Sequence, residues 1–331
     1  GIAKNGGKPV FATHSSFMQR TYDQLSQDLC VNNNPATILV NTASVYGMND
    51  VTHLGLYDIA MMSNIPNLVY LAPTSKEEYF AMLDWSIEQD KYPVAIRIPC
   101  NGVISDNREI QKDYSNLNKY KIERQGNKVA VIALGDFYQL GEQITNKIKE
   151  KLKFEPTLIN PRYITGLDNK LLEELKKEHE LVITLEDGIL EGGFGEKIAS
   201  FYGTTNMKVK NYGIRKSFPD RYIVDELLKE NGITVEQIIA DIKEIVDVAK
   251  SVKEDVIVMV DNCYGEFVET IEPSDVGADM TVGSLIKNPG GGLAPIGGYI
   301  AGREDLIDAC GYRLTSPGLG REVGASLGVM K

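Results

Sequence analysis

Short runs of β-branched residues alternate with helical patterns along almost the whole chain, and this alternation constrains the fold more than any other feature. Strands that follow one another at the spacing of an intervening helix form a parallel sheet covered by helices on its faces. The spacing predicts strands at Pro9–Thr13, Thr37–Thr42, Leu68–Leu71 and Val94–Ile98. After a polar stretch from Asn101 to Asn127, the pattern restarts with strands at Val129–Leu134, Thr157–Ile159, Leu181–Leu185 and Met207–Tyr212. The fold class is therefore α/β, with two consecutive parallel-sheet domains and a boundary near residue 120. Two helix starts carry a capping-box spacing, Ser75 with Glu78 and Thr234 with Gln237. From Val235 the helical period runs on to about Val252 and then enters a further strand at Val256–Val260, and no linker intervenes.

Charge narrows the partners. A net charge of -11, with no basic run, is the wrong electrostatic footprint for nucleic acid, whose phosphates need clustered Lys and Arg. Apolar stretches such as Val256–Val260 are far shorter than the roughly 20 residues of a membrane span. Cys30, Cys100, Cys263 and Cys310 are widely separated and form no C-x-x-C pair, so no zinc site or disulfide framework is expected, and a reducing cytoplasm fits. The start at Gly1 reads as a cut rather than a targeting signal.

Several motifs then point to one family. Residues 13–24, with Phe17, Arg20, Asp23 and Gln24 in an F-x-x-R-x-x-D-Q pattern after a strand, resemble the pyrimidine-binding domain of transketolases and 1-deoxy-D-xylulose-5-phosphate synthases. Gly47–Gly55, with its Thr52-His53 pair, resembles the same family's loop, and Val94–Pro99 resembles its arginine-containing strand. Asn160-Pro161-Arg162, Leu185-Glu186-Asp187-Gly188 and Gly192-Gly193-Phe194-Gly195 resemble its C-terminal domain. As a lone motif, Gly192-Gly193-x-Gly195 is a weak phosphate-loop signal, and a glycine-rich helix entry explains it as well.

The resemblance implies carbanion chemistry at a carbonyl, driven by thiamine diphosphate with Mg²⁺. Phe17 would pack on the aminopyrimidine ring, or else belong to the core. His53 would exchange a proton near the reacting carbonyl, since imidazole titrates close to neutral pH. His14 stands where the synthases usually carry a tyrosine and is a second catalytic candidate. Arg97 would grip a substrate phosphate, with a strand-end salt bridge as the alternative. Arg20, one turn after Phe17, is either a cofactor contact or architectural. The implied substrate is a small phosphosugar or keto acid, and the full-length parent would be a homodimer.

Departures bear on that substrate. Thr42 stands in place of an arginine, Asn49 in place of an aspartate and Cys100 in place of a second basic residue. These changes imply an aldehyde or ketose other than the pair glyceraldehyde 3-phosphate and pyruvate. The family's diphosphate- and Mg²⁺-binding Gly-Asp-Gly motif does not occur in the 331 residues, so the chain is expected to be inactive alone.

After residue 242 the residues read differently. Val260-Asp261-Asn262-Cys263-Tyr264-Gly265, followed by Gly283-Ser284-Leu285-Ile286-Lys287-Asn288-Pro289, resembles a fold-type I pyridoxal-phosphate enzyme of the methionine gamma-lyase-like group often labelled aluminium resistance proteins. There Lys287 would form the Schiff base, Asp261 would hold the pyridine nitrogen protonated and Ser284 would bond the cofactor phosphate; the bland readings are a loop cap for Asp261 and an exposed lysine. The expected organisation is thus 1–120, a pyrimidine-binding domain; 121–242, a transketolase C-terminal domain; and 243–331, a partial pyridoxal-phosphate lyase-like segment, so that the chain is a spliced fragment. Two other readings stay open: a carbon-sulfur lyase with an acquired N-terminus, and a non-catalytic scaffold.

Overall fold

The computed structural model describes residues 1–47, 50–251, 259–262, 273, 278–285 and 297–314. They divide into two compact units, Gly1–Ile245 and Val246–Lys331.

The first unit holds two sheets. One has β1 (Val10–His14), β2 (Thr37–Ala43), β3 (Val69–Leu71) and β4 (Val94–Pro99) in the order β1-β2-β4-β3, all parallel. A 3-10 helix, Ser15–Thr21, and a π-helix, Gln24–Cys30, link β1 to β2, while α1 (Asp58–Met62) and α2 (Lys76–Glu88) flank β3. The predicted strands match these to within a residue or two. The centre of the sheet is apolar on both faces, as a helix-covered parallel sheet requires: Val94, Ala95 and Ile96 are wholly buried.

The second sheet has the order β5-β7-β6-β8-β9, formed by β5 (Lys121–Arg124), β6 (Lys128–Ala133), β7 (Thr157–Asn160), β8 (His179–Ile189) and β9 (Lys208–Ile214). Four of its strands are parallel. The exception is β5, which pairs antiparallel with β7 and falls inside the stretch expected to be only a connection. Around the sheet lie α3 (Tyr138–Leu152), α4 (Asn169–Leu175), α5 (Phe194–Tyr202), α6 (Val224–Glu230) and, as far as Ile245, α7 (Val235–Ser251).

One apolar core runs through both sheets, with Ile38, Ile59 and Tyr70 of the first in one cluster with Ile132, Ile159 and Phe194 of the second, and another cluster gathers Val94, Ile96, Trp85 and Tyr163. Backbone bonds join them too: the Ala72 N–H donates to the Arg162 carbonyl at 2.8 Å, and the Ile164 N–H to the Tyr70 carbonyl at 2.8 Å. The two domains are therefore one packed body.

Both predicted caps form. Ser75 Oγ accepts from the Glu78 N–H at 3.2 Å, but the Glu78 carboxylate reaches one residue further back than a capping box does, accepting from the N–H and hydroxyl of Thr74, both at 2.8 Å. Asn160 of the second sheet also donates to Glu78, at 3.1 Å. Ser75→Ala is expected to cost about 1 kcal/mol, read as a small fall in the midpoint of urea unfolding with an unchanged slope. Thr234 Oγ1 in turn accepts from the Gln237 N–H at 3.3 Å.

The second unit contains a sheet of β10 (Met259–Asp261), β11 (Met280–Ser284) and β12 (Gly298–Gly302), in which β10 and β11 are parallel and β12 is antiparallel, followed by α8 (Glu304–Leu314). Most of the strand predicted at Val256–Val260 lies outside the described residues, and its end coincides with β10. Among the described residues no helix is long and apolar enough to cross a membrane.

Candidate active site

Open α/β sheets bind ligands beyond the carboxyl ends of their strands, and the ends of β1 and β2 carry most of the residues singled out above. The chain leaves β1 at His14 and turns directly into the 3-10 helix that holds Phe17. This turn brings three rings into a row: the His14 and Phe17 centroids are 5.4 Å apart, and Phe17 meets His53 edge-on at 5.5 Å. Phe17 is 44% exposed. An aromatic left open to solvent between two imidazoles is not core packing; it is a surface on which a flat ring can lie.

His53 is held from one side. Thr52 Oγ1 lies 2.7 Å from His53 Nδ1, and the same hydroxyl donates to Asp50 Oδ1. With its one hydrogen on Asp50, the hydroxyl can only accept from Nδ1, so the neutral ring carries its proton there. Nε2 is then left as a proton acceptor. The hydrogen bonds from Thr52 hold the Asp50 carboxyl below the usual carboxylate range.

The end of β2 is irregular. Thr42 and Ser44 both have positive φ, 56° and 77°, where side chains rarely sit, and the register against β4 shifts between Val40 and Ala43. Ser15 Oγ donates to the Thr42 carbonyl at 3.0 Å, and the Ser44 N–H donates to the Gly55 carbonyl at 2.9 Å. A Cβ on Gly55 would lie 2.4 Å from the Thr42 carbonyl oxygen, so only glycine fits there. These contacts close the loop bearing His53 at its base. Asn49, one of the substituted positions, lies outside the described residues. Cys100 is exposed at the end of β4, its N–H bonded to the Ala43 carbonyl at 2.9 Å.

Arg97 is not at the surface. It is 2% exposed, and its guanidinium donates to Asp58 Oδ2 at 2.7 Å, to Asp187 Oδ2 at 2.5 Å and to the Gly55 carbonyl at 3.2 Å. Of the two roles open for it, the buried ion pair is the one its geometry supports: its fork is filled by carboxylates and carbonyls of the chain, leaving nothing to grip a phosphate. Burial works against its charge, but Asp187 and Asp58 outweigh that and raise its pKa well above the usual value. Arg20 is exposed on the 3-10 helix after Phe17.

Two carboxylates contact this guanidinium, and a third, Asp136, lies within reach of its charge. Tyr70 donates to Asp58 at 2.5 Å, Ser44 Oγ donates to Asp136 Oδ2 at 2.7 Å, and Asp187 Oδ1 is buried without a partner. Burial, then Asp187, push the Asp136 carboxyl up to about 6, against the opposing pull of Ser44 and Arg97. A carboxyl with a raised folded pKa favours folding fully below its unfolded value near 4, and that contribution is lost as pH rises through about 6. Asp136→Asn is therefore expected to unfold with less pH dependence than the wild type between pH 4 and 6, and to be more stable at pH 7.5 by roughly 2 kcal/mol after allowance for partial exposure. Urea titrations of both proteins at pH 5 and 7.5 measure the difference.

The glycine-rich motif resolves as a helix entry. Glu186, wholly buried, accepts from the Phe194 and Gly195 N–H groups, each at 2.8 Å, so the start of α5 is already capped by a carboxyl of its own chain. A Cβ on Gly193 would lie 2.4 Å from Glu186 Oε2, which is why glycine precedes the helix. Burial lifts Glu186 to about 8, against those two donors, and lowers Lys197, on the next turn, to about 8. In the sequence Glu186 and Asp187 stand only within a segment resembling the family's C-terminal domain, and no motif marks Asp58 or Asp136. Their one visible signal is polarity inside otherwise apolar segments.

In the second unit, Asp261 ends β10 and Ser284 ends β11, on adjacent parallel strands; Asp261 pairs with Val282, two residues before Ser284 and on the same face. Lys287 lies outside the described residues.

A family model described as the transketolase pyrimidine-binding domain matches residues 1–102, and one described as the transketolase C-terminal domain matches residues 118–238. Residues 1–102 and 118–238 are therefore transketolase-type domains. A methionine gamma-lyase family model matches residues 212–331, overlapping the second of them. The chain is 32% identical over 247 residues to the 1-deoxy-D-xylulose-5-phosphate synthase of Clostridium tetani, covering 74% of this chain and 39% of that protein. To the synthase of Alkaliphilus oremlandii it is 36% identical over 251 residues, with 74% and 39% covered. To that of Brevibacillus brevis it is 34% identical over 260 residues, with 77% and 41% covered. The chain thus spans about two fifths of the length of these curated relatives. A solved structure described as a split-gene transketolase, an inactive β4 tetramer, aligns with a TM-score of 0.62 at 20% identity over 73% of this chain and 77% of that one, a likeness of fold.

Transketolase-type domains imply thiamine diphosphate with a divalent metal. The residues present fit one end of that coenzyme: the open face of Phe17 between His14 and His53 suits an aminopyrimidine. The described residues contain no group of three or more His, Cys, Asp or Glu that could hold a metal ion.

Proposed function

We propose that this chain supplies the aminopyrimidine-binding and C-terminal domains of a thiamine-diphosphate transferase of the 1-deoxy-D-xylulose-5-phosphate synthase type. In this reading it acts in the cytoplasm on a phosphosugar or keto acid, within an oligomer, and does not catalyse alone. The observation that carries the reading is the ring row His14, Phe17 and His53 at the carboxyl end of β1. Bound thiamine diphosphate supplies a nucleophilic carbon for attack on a carbonyl. Phe17 holds the pyrimidine by its face. His53, through Nε2, moves a proton at the carbonyl oxygen of the substrate, with Thr52 and Asp50 fixing its tautomer. His14 borders the other side of Phe17, while Arg20 remains available to an anionic group. With Thr42 and Cys100 at positions that are basic in the synthases, the substrate carries less negative charge at that point, or presents it elsewhere. Residues 1–120, 121–242 and 243–331 are the proposed divisions.

The test titrates thiamine diphosphate and Mg²⁺ into the chain alone and into the chain mixed with a separately expressed diphosphate-binding domain of a synthase. Binding confined to the mixture is expected; no binding in either would end the proposal.

A second reading, a pyridoxal-phosphate segment joined to the first unit as a chimera, draws support from the family model over 212–331 and from Asp261 and Ser284 at the ends of neighbouring strands. Lys287 would be its Schiff-base lysine. Internal-aldimine absorbance on adding pyridoxal phosphate, abolished by Lys287→Ala, is its expected result; absence of that absorbance in the unsubstituted chain would dismiss it.

A further inference from the structure

The loop that bears His53 starts at Ser44 and ends at Gly55, and both ends are fastened to the second domain. Ser44 is wholly buried at a φ of 77°, a conformation that needs external support in a non-glycine residue. Its N–H closes the loop onto the Gly55 carbonyl, and its hydroxyl leaves the first domain altogether to donate to Asp136 at 2.7 Å. Asp136 lies in the turn between β6 and α3, whose N-terminal neighbour Leu134 donates its N–H to the Leu185 carbonyl of β8. At the other end, the Gly55 carbonyl also accepts from Arg97, which Asp187 of β8 holds from across the domain boundary. One residue on, the Leu56 carbonyl accepts from the Ile189 N–H at 3.0 Å.

We propose that Asp136 is a positioning residue for His53: by accepting from Ser44, it completes a clamp of Asp136, Asp187 and Arg97 that sets the base of the 44–55 loop, so that the second domain governs the reactive geometry of the first without touching substrate. The role given to His53 rests on the function proposed above; the clamp itself does not. Each part of the clamp has a defined task. Ser44 holds one end of the loop, Arg97 and Gly55 the other, and Asp136 and Asp187 tie both ends to a sheet whose core is wholly buried at Val131, Ile132 and Ile183. A loop with two anchored ends and an exposed middle keeps its reactive side chain in one place while leaving it accessible.

Hydrogen exchange of the full chain, followed by mass spectrometry at pH 7.5, tests this with Ser44→Ala, Asp136→Ala and Asp136→Asn. Both alanine variants are expected to exchange residues 45–55 about three- to tenfold faster, the range of one net hydrogen bond, and to shift the His53 ring resonances, while residues 128–160 change less than about twofold. Asp136→Asn keeps an oxygen for Ser44 and is expected to restore protection of the loop. Unchanged exchange over 45–55 in both alanine variants would overturn the proposal. So would faster exchange spread equally through the second sheet, or no rescue by asparagine. Should Asp136→Ala fail to fold, Ser44→Ala alone decides between these outcomes. Failure of the coenzyme to bind the mixed domains would remove the function proposed for His53 and leave the exchange result standing, so the two readings fail separately.

Discussion

Arg97→Ala is expected to lower the stability of the first unit by about 3–5 kcal/mol, the cost of stripping a buried cation from its carboxylates. The reason lies in the count of charges around it. Asp58 and Asp187 both have wholly buried side chains, and Arg97 is the cation that both of them touch. Without it, two carboxylates face each other and Asp136 with Asp187 Oδ1 already unpartnered. Arg97→Lys is not expected to rescue: an ammonium cannot reach Asp58, Asp187 and the Gly55 carbonyl from one planar fork. The triple change Arg97→Met, Asp58→Asn and Asp187→Asn, which removes all three charges together, is expected to recover part of the loss. Urea unfolding of the four proteins measures this. A loss under 1 kcal/mol in Arg97→Ala would show that the pair is not integral to the fold.

The second large effect concerns chemistry. In the mixture reconstituted with a diphosphate-binding domain, His53→Ala is expected to lower kcat/KM by roughly 10²–10⁴, the usual contribution of a positioned acid or base. The far-ultraviolet spectrum and urea midpoint should stay close to those of the wild type, because the side chain is 48% exposed and supports no core. Thr52→Val removes the hydroxyl between Asp50 and Nδ1 and leaves the ring in place. It is expected to reproduce part of the loss in kcat with KM little changed, an effect that a purely structural threonine would not have. An equal rate in the His53→Ala mixture would transfer the proton-handling role elsewhere, with His14 on the far side of Phe17 as the next candidate.

Local pattern carried most of the secondary structure. The run Val94 to Ile98 became β4, and Leu181 to Leu185 became the middle of β8, because a strand covered on both faces must be apolar along its length. The strand of the first unit that escaped, β5, has Ile122 as its one aliphatic residue, itself 40% exposed. It is an edge strand formed by backbone pairing to β7, and an edge asks little of its side chains. The candidate site was legible where its residues are close in the chain: His14 and Phe17 are three apart, and Thr52 abuts His53.

It was not legible where partners come from far away. Arg97 finds Asp58 39 residues back and Asp187 90 residues on, and nothing in the motif Ala95-Ile96-Arg97-Ile98-Pro99 says whether the guanidinium turns outward to a ligand or inward to another domain. Glu186 likewise lies eight residues before the N–H of Phe194 that it caps, hidden among markers of a glycine-rich turn. The order of residues alone determined the alternating elements, the helix starts and the family of the first two domains, since those follow from periodicity and from contiguous motifs. Tertiary structure alone decided which charged groups are buried together and which ring is left open, because desolvation and pairing depend on what the rest of the chain brings within hydrogen-bonding distance.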